Sequence, residues 1–277
     1  MTTMRQALVG LSFLLAAGLA AAEEAPPDNP LIEGATWSTI KDAIAGEEPL
    51  GDGSSFLSIS APYRAEDAAT VPVVIEQKDR SAGPITAIKL VIDENPAPLA
   101  AEIRFGPAMM PLKFETRVRV NQYSNIRVIA DTPSGTFMTG RFVKASGGCS
   151  APATKDPAAA LAGMGEMKLK LFDAKTDDQA AGQNVRREAQ IMIRHPNYSG
   201  LQRDQITQLF IGAHFITELE VRQGKDLLFS LEGGISISEN PSFRFSYIDD
   251  GSPEFTVHAV DTDGNVFDKV LAKRPPA

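Results

Sequence analysis

From Phe114 to Asn121 the side chains alternate without a break, Phe114, Thr116, Val118 and Val120 against Glu115, Arg117, Arg119 and Asn121. Successive side chains of a strand point to opposite faces, so this pattern calls for a sheet with one face on a core and the other on water. Arg117 and Arg119 fall on the outer face and are expected to be solvated. Less strictly alternating runs at Val71 to Gln77, Ile85 to Ile92, Ile126 to Ala130 and Phe137 to Val143 read as further strands. Gly83-Pro84, Asn95-Pro96 and Pro133-Ser134-Gly135 separate them as turns. Short strands at this spacing predict an antiparallel sandwich.

The pattern lapses over 146–165, where glycine, alanine, serine and proline dominate, and resumes at Met167 to Phe172, Ala189 to Arg194, Phe215 to Arg222, Leu227 to Leu231, Phe243 to Ile248 and Phe255 to Val260. The expected fold is therefore all-β, with two antiparallel sandwiches at 35–145 and 166–273, a linker between them and a short tail at 274–277. One short helix precedes the first sandwich. Trp37, Ile40, Ala43 and Ile44 lie on one helical face, Trp37 anchors it, and Gly46 ends it.

Residues 1–22 join Arg5, an apolar run from Ala7 to Ala17 and Ala20-Ala21-Ala22, the three parts of a cleaved export signal. The apolar run is shorter than the roughly 20 residues of a spanning helix, so a soluble, periplasmic mature chain with no membrane contact is expected. The acidic, proline-bearing residues 23–34 then form a loose lead-in. Cleavage leaves 26 basic and 35 acidic side chains, net -9, which excludes nucleic acid as a natural partner.

No enzyme signature emerges. His195, His214 and His258 lie far apart without ligand spacing and are expected to be structural or surface residues; no metal, haem or other cofactor is expected. Gly147-Gly148 and Gly233-Gly234 match no phosphate loop. Asp261-Thr262-Asp263-Gly264-Asn265 lacks the later glutamate of a calcium loop and reads as a hairpin turn. Met109 and Met110 read as packing residues. His195-Pro196 shapes a strand end, because the residue before proline is driven toward extended geometry.

Cys149 stands apart as the only cysteine, within Ser146-Gly147-Gly148-Cys149-Ser150-Ala151-Pro152. Two neighbours without side chains leave it open to approach, and an idle lone thiol in an oxidising compartment would be a liability. Exposure is expected, and burial is not. With four residue steps from Ala145, the thiol-bearing residue projects at most ~13 Å at ~3.3 Å per extended residue.

The stretch Ile193 to Asp204, with Ala213-His214-Phe215-Ile216, Ile237 to Pro241 and Asp261 to Gly264, resembles SoxZ of bacterial sulfur oxidation, and the block ending in Gly147-Gly148-Cys149 resembles its partner SoxY. The resemblance implies two immunoglobulin-like sandwiches forming a periplasmic carrier, not an enzyme. It makes Cys149 the covalent attachment site for a sulfur-containing group such as thiosulfate, or for another thiol-reactive group. Gly147 and Gly148 become a thin swinging arm that presents the group to sulfur-oxidation enzymes or periplasmic oxidoreductases. This sequence departs from SoxY in continuing past Cys149 through Ser150-Ala151-Pro152, which tethers the arm at both ends. Fusions of this shape resemble the SoxYZ-like carriers associated with quinoprotein dehydrogenases. An accessory module for such an enzyme, in which Cys149 is incidental, and a disulfide-linked dimer through Cys149 are the alternatives.

Overall fold

The computed structural model describes residues 29–152, 161–172 and 185–273. The expected export signal at 1–22, residues 23–28 of the lead-in, part of the linker and the tail lie outside the described residues. The first half contains α1 (Ala35–Ala45), β1 (Gly51–Asp52), β2 (Leu57–Ser60), β3 (Val71–Gln77), β4 (Ala87–Ile92), β5 (Leu99–Phe105), a 3-10 turn at Pro107–Met109, β6 (Lys113–Val118), β7 (Ser124–Thr132) and β8 (Gly135–Val143). The second contains β9 (Met167–Phe172), β10 (Arg186–Ile193), β11 (Ile216–Gln223), β12 (Asp226–Gly233), β13 (Ser242–Ile248), β14 (Glu254–Asp261) and β15 (Val266–Ala272).

The all-β expectation holds, with one short helix, and every strand expected from the pattern forms. The two halves are moreover joined edge to edge. One sheet runs β1-β8-β7-β4-β5-β12-β11-β14-β15 and the other β2-β3-β6-β13-β10-β9, so both cross the boundary between the halves. The seams are β5 against β12, from Phe105 opposite Phe229 to Ala101 opposite Gly233, and β6 against β13 at Phe114 opposite Phe245. Pairing at the seams removes the unpaired edges that two isolated sandwiches would present. Among the described residues all the strand pairs are antiparallel except β1 with β8.

Alternation explains the core. Val71, Val73 and Ile75 of β3, Phe114 and Val118 of β6, and Phe255, Val257 and Ala259 of β14 face inward and are buried. Phe114 lies at the seam, with ring centroids 5.5 Å from Phe105, 5.2 Å from Phe229 and 6.1 Å from Phe243. Met109 is fully buried among these residues, as a packing methionine should be.

The lead-in departs from expectation where it is described. Asn29 is buried and its carbonyl accepts from Phe142 N–H at 3.0 Å, while Asn125 exchanges hydrogen bonds with Ile32 in both directions at 2.9 and 2.8 Å. Backbone pairing of this kind holds the segment against β7 and β8 despite its loop-like composition. The helix then places Trp37 over the Arg127 guanidinium, 4.4 Å from the ring centroid, while Arg127 pairs with buried Asp93. Gly46 ends it as expected, at a φ of 81°.

Candidate functional site

Lys144 leaves β8 by donating its N–H to the Tyr63 carbonyl at 2.7 Å, and the chain then turns at Gly147, whose φ of +80° suits a residue without a Cβ. Gly147 and Gly148 donate their N–H groups to the carbonyls of Asn121 and Val120 at 2.8 and 3.0 Å. At Gly148 the backbone passes so closely that a Cβ would lie 2.0 Å from the Ala68 carbonyl oxygen. The two glycines thus do different things: Gly147 permits the turn, and Gly148 permits the loop to seat.

Seating buries Cys149 completely, at 0% exposure. The expected exposed thiol and extended swinging arm are therefore corrected for this conformation: residues 146–152 are docked by hydrogen bonds that composition does not encode. The second half supplies part of the clamp. Ser199 Oγ donates to the Cys149 carbonyl, Gln202 Nε2 donates to the Ala151 carbonyl at 3.0 Å, and the Gln202 Oε1 accepts from Ser199 N–H at 3.1 Å.

Arg119 lies on the opposite side of the same seam. Alternation put it on the solvated face beside Arg117, but β6 ends at Val118 and the alternation ends with it, so Val118, Arg119 and Val120 are all buried while Arg117 stays exposed. Arg119 is held in place through its backbone, by Ser236 O at 2.7 Å and Asn95 Nδ2 at 2.7 Å. Its guanidinium donates to the carbonyls of Gly148 and Asn197, each at 3.3 Å, joining the cysteine loop to the second half. Burial lowers the guanidinium pKa. Burial likewise pushes the Cys149 thiol up to about 11, against the opposing pull of the nearby Arg119 charge. A thiol of that pKa is almost entirely protonated at neutral pH, and the thiolate is the nucleophile. The seated cysteine is a buried, protonated thiol.

Behind the clamp, His195 and His214, expected to be unrelated, meet over Asp261. The two Nε2 atoms lie 3.4 and 2.8 Å from Asp261 Oδ2, and the rings are 4.9 Å apart. One ligand atom from each of the three residues falls within a 4.8 Å group, which raises the question of a metal. Hydrogen bonding answers it. Asn197 N–H donates to His195 Nδ1 at 3.0 Å, which places the proton of the neutral ring on Nε2, toward Asp261. Asp261 Oδ1 accepts the N–H groups of Asp263 and Asn265, and Oδ2 accepts Asn265 Nδ2, each at 2.9 Å. The trio fits a hydrogen-bonded brace and not a cation's ligand set. It fixes the start of segment 195–202, which carries Ser199 and Gln202 to the cysteine loop. Asp261 to Asn265 makes the expected hairpin turn, with Gly264 N–H on the Asp261 carbonyl at 3.0 Å, and His258 is exposed beside Asp268.

Cys149, Gly147 and Gly148 were legible in the sequence; Arg119, Ser199 and Gln202 were not. Ser199 and Gln202 lie within the Ile193 to Asp204 stretch already singled out by its resemblance, although nothing there marked them individually, and Arg119 carried no local signal.

Residues 41–149 match the family model described as sulfur oxidation protein SoxY, and residues 174–272 match that of sulphur oxidation protein SoxZ; the first match ends on Cys149. Among solved structures, the sulfur carrier protein SoxY from Chlorobium limicola f thiosulfatophilum is 28% identical, over 40% of this chain and 94% of its own length, with a TM-score of 0.35. No curated protein matches the chain.

Proposed function

With a SoxY domain followed by a SoxZ domain, this chain belongs to the SoxYZ group of sulfur-oxidation proteins, and from that premise we propose that it is a periplasmic covalent carrier, not itself an enzyme, that holds a sulfur-containing group on Cys149. The observation that carries this reading is the construction around the thiol. The sole cysteine ends the SoxY match, and the loop bearing it is held by hydrogen bonds from both halves. A carrier needs its thiol in two conditions, stored between partners and released to them. The docked loop supplies storage, because burial keeps the thiol protonated. Release requires only that a few hydrogen bonds open, each worth about 1 kcal/mol net. The export-signal features of residues 1–22 support the periplasmic location, and sulfur-oxidation enzymes are the partners this reading favours.

The burial of Cys149 also favours a second reading, in which the fused halves are an accessory module for a periplasmic quinoprotein dehydrogenase and the thiol is incidental. One experiment separates the two. The chain is purified from its native source with thiols alkylated at lysis and no reductant, then analysed by intact and peptide mass spectrometry. A reproducible adduct on Cys149 supports the carrier and identifies the group by mass. A Cys149 recovered only in its alkylated form under inducing conditions, with function retained in Cys149→Ser, would leave the accessory module.

A further inference from the structure

His195 is completely buried behind the clamp, and both of its ring nitrogens are taken. Nδ1 accepts the Asn197 N–H at 3.0 Å, and Nε2 faces Asp261 Oδ2 at 3.4 Å. Only a neutral ring suits this arrangement. An imidazolium carries a proton on each nitrogen, so its Nδ1–H would point at the Asn197 N–H, donor against donor, with no water at hand to replace the lost bond. The groups packed around the ring set the balance. Asp261 of β14 favours a charged ring, but His214, Asp263 and Asn265 already donate to the same carboxylate. His214, ahead of β11, would bring a like charge 4.9 Å away once protonated, and Asp263 reaches His214, at 3.4 Å. Phe267 of β15 and Asn240, whose Oδ1 accepts the His195 N–H, bring no charge. Arg194, next along the chain, is exposed beside Glu166. Arg119, whose charge Glu239 and Asp67 act on, donates to the Asn197 carbonyl and adds a second cation near the same peptide. Burial prevails over Asp261 and holds the His195 pKa below its ordinary value of 6.5.

The bond that a charged ring breaks lies at the root of segment 195–202. Asn197 fixes that root, its Oδ1 accepting the Ile216 N–H at 3.2 Å and its carbonyl accepting Arg119. Two and five residues further on, Ser199 and Gln202 hold the carbonyls of Cys149 and Ala151. We propose that His195 is an acid-sensing latch on the thiol: protonation of its ring frees the root of segment 195–202, withdraws Ser199 and Gln202 from the cysteine loop, and opens Cys149 at mildly acidic pH. The latch governs when the thiol can be reached, whatever it carries, and so stands apart from the carrier reading.

The test is the rate at which 4,4′-dithiodipyridine, a disulfide that labels thiols in acid as well as in base, reacts with Cys149 of the full chain from pH 8 to pH 5. Each native rate is divided by that of the urea-denatured chain at the same pH, which cancels the chemistry of the thiol and leaves the open fraction. Circular dichroism over the same range confirms that the chain stays folded. The open form takes up one proton that the seated form excludes, so the ratio should be flat above pH 7 and rise below 6.5. The rise by pH 5 should be at least about fivefold, with a ceiling of about thirtyfold for a single histidine. His195→Asn keeps an acceptor for the Asn197 N–H without a titrating ring and should flatten the profile. His214→Gln, which keeps a donor toward Asp261, and the exposed-site control His258→Gln should both preserve the rise. A flat ratio in the unaltered chain, or a rise that persists in His195→Asn, would overturn the latch. So would a rise lost in His214→Gln, a result that stands even where His195→Asn fails to fold. None of these outcomes touches the carrier reading, which the adduct on Cys149 decides.

Discussion

Cys149 is reactive in proportion to how often its loop leaves the seat. With the thiol pKa raised to about 11, alkylation of the native chain at pH 8 should run about a hundredfold slower than that of the denatured chain, as timed iodoacetamide labelling would show. Ser199→Ala removes one clamp bond and should accelerate native labelling roughly fivefold, the population change expected for about 1 kcal/mol. The two glycines should separate cleanly. Gly147→Ala places a Cβ in open space at positive φ, costing about 1–2 kcal/mol of strain with the loop still seated. Gly148→Ala drives a methyl group into the Ala68 carbonyl, so the loop should be expelled and labelling should approach the denatured rate. Equal labelling in the two variants would contradict the division of roles.

Strand β14 shows how one element serves both core and brace. Phe255, Val257 and Ala259 occupy its inward positions, and the same alternation turns Asp261 inward, where an apolar residue would ordinarily belong. Burial alone would raise its pKa, but hydrogen bonds from Asn265, His214 and His195 outweigh burial and bring it down to about 2. The folded pKa lies below the unfolded 3.8, so the carboxylate's contribution of about 2 kcal/mol is complete above pH 4 and is lost as pH falls through 2. His195, lowered mainly by burial, has the same sign, contributing above its ordinary pKa of 6.5 and losing that contribution on acidification. Urea denaturation from pH 7 to 2 should therefore show falling stability, and Asp261→Asn should be weaker at pH 7 with a flatter acid limb. An unchanged acid limb in that variant would assign the slope to other carboxylates. Two of the strands that alternation missed are also explicable: β5 is Leu-Ala-Ala-Glu-Ile-Arg-Phe, too alanine-rich to mark a face, and β15 is an edge strand whose Val266 and Val270 stay exposed.

The two halves share both sheets, so they should unfold together. Calorimetry is expected to give one endotherm whose van't Hoff and calorimetric enthalpies agree; two resolved transitions would mean that the β5–β12 and β6–β13 seams contribute little. Phe114→Ala, removing a fully buried ring at the seam, should cost about 3–5 kcal/mol and lower that single transition without splitting it. The cysteine loop spans the same seam, with Val120 and Asn121 holding it from one side and Ser199 and Gln202 from the other. Whatever loosens the halves should also release the thiol.

Alternation along the chain was enough to establish an all-β molecule, the positions of most strands and the short helix, because a period of two is a local property that burial of one face enforces residue by residue. A unique cysteine after two glycines was enough to single out Cys149. The rest was decided in three dimensions. Alternation does not specify which strand sits beside which, so the seams that merge two sandwiches into continuous sheets were invisible. Nor does it apply beyond a strand's end, so Arg119 read as solvated when it is buried. A Gly-rich loop is free only if nothing satisfies its backbone, and here the partners of Gly147, Gly148, Cys149 and Ala151 come from residues 26 to 51 positions distant. His195, His214 and Asp261 form one brace for the same reason, since hydrogen bonds join what the fold brings together regardless of spacing along the chain.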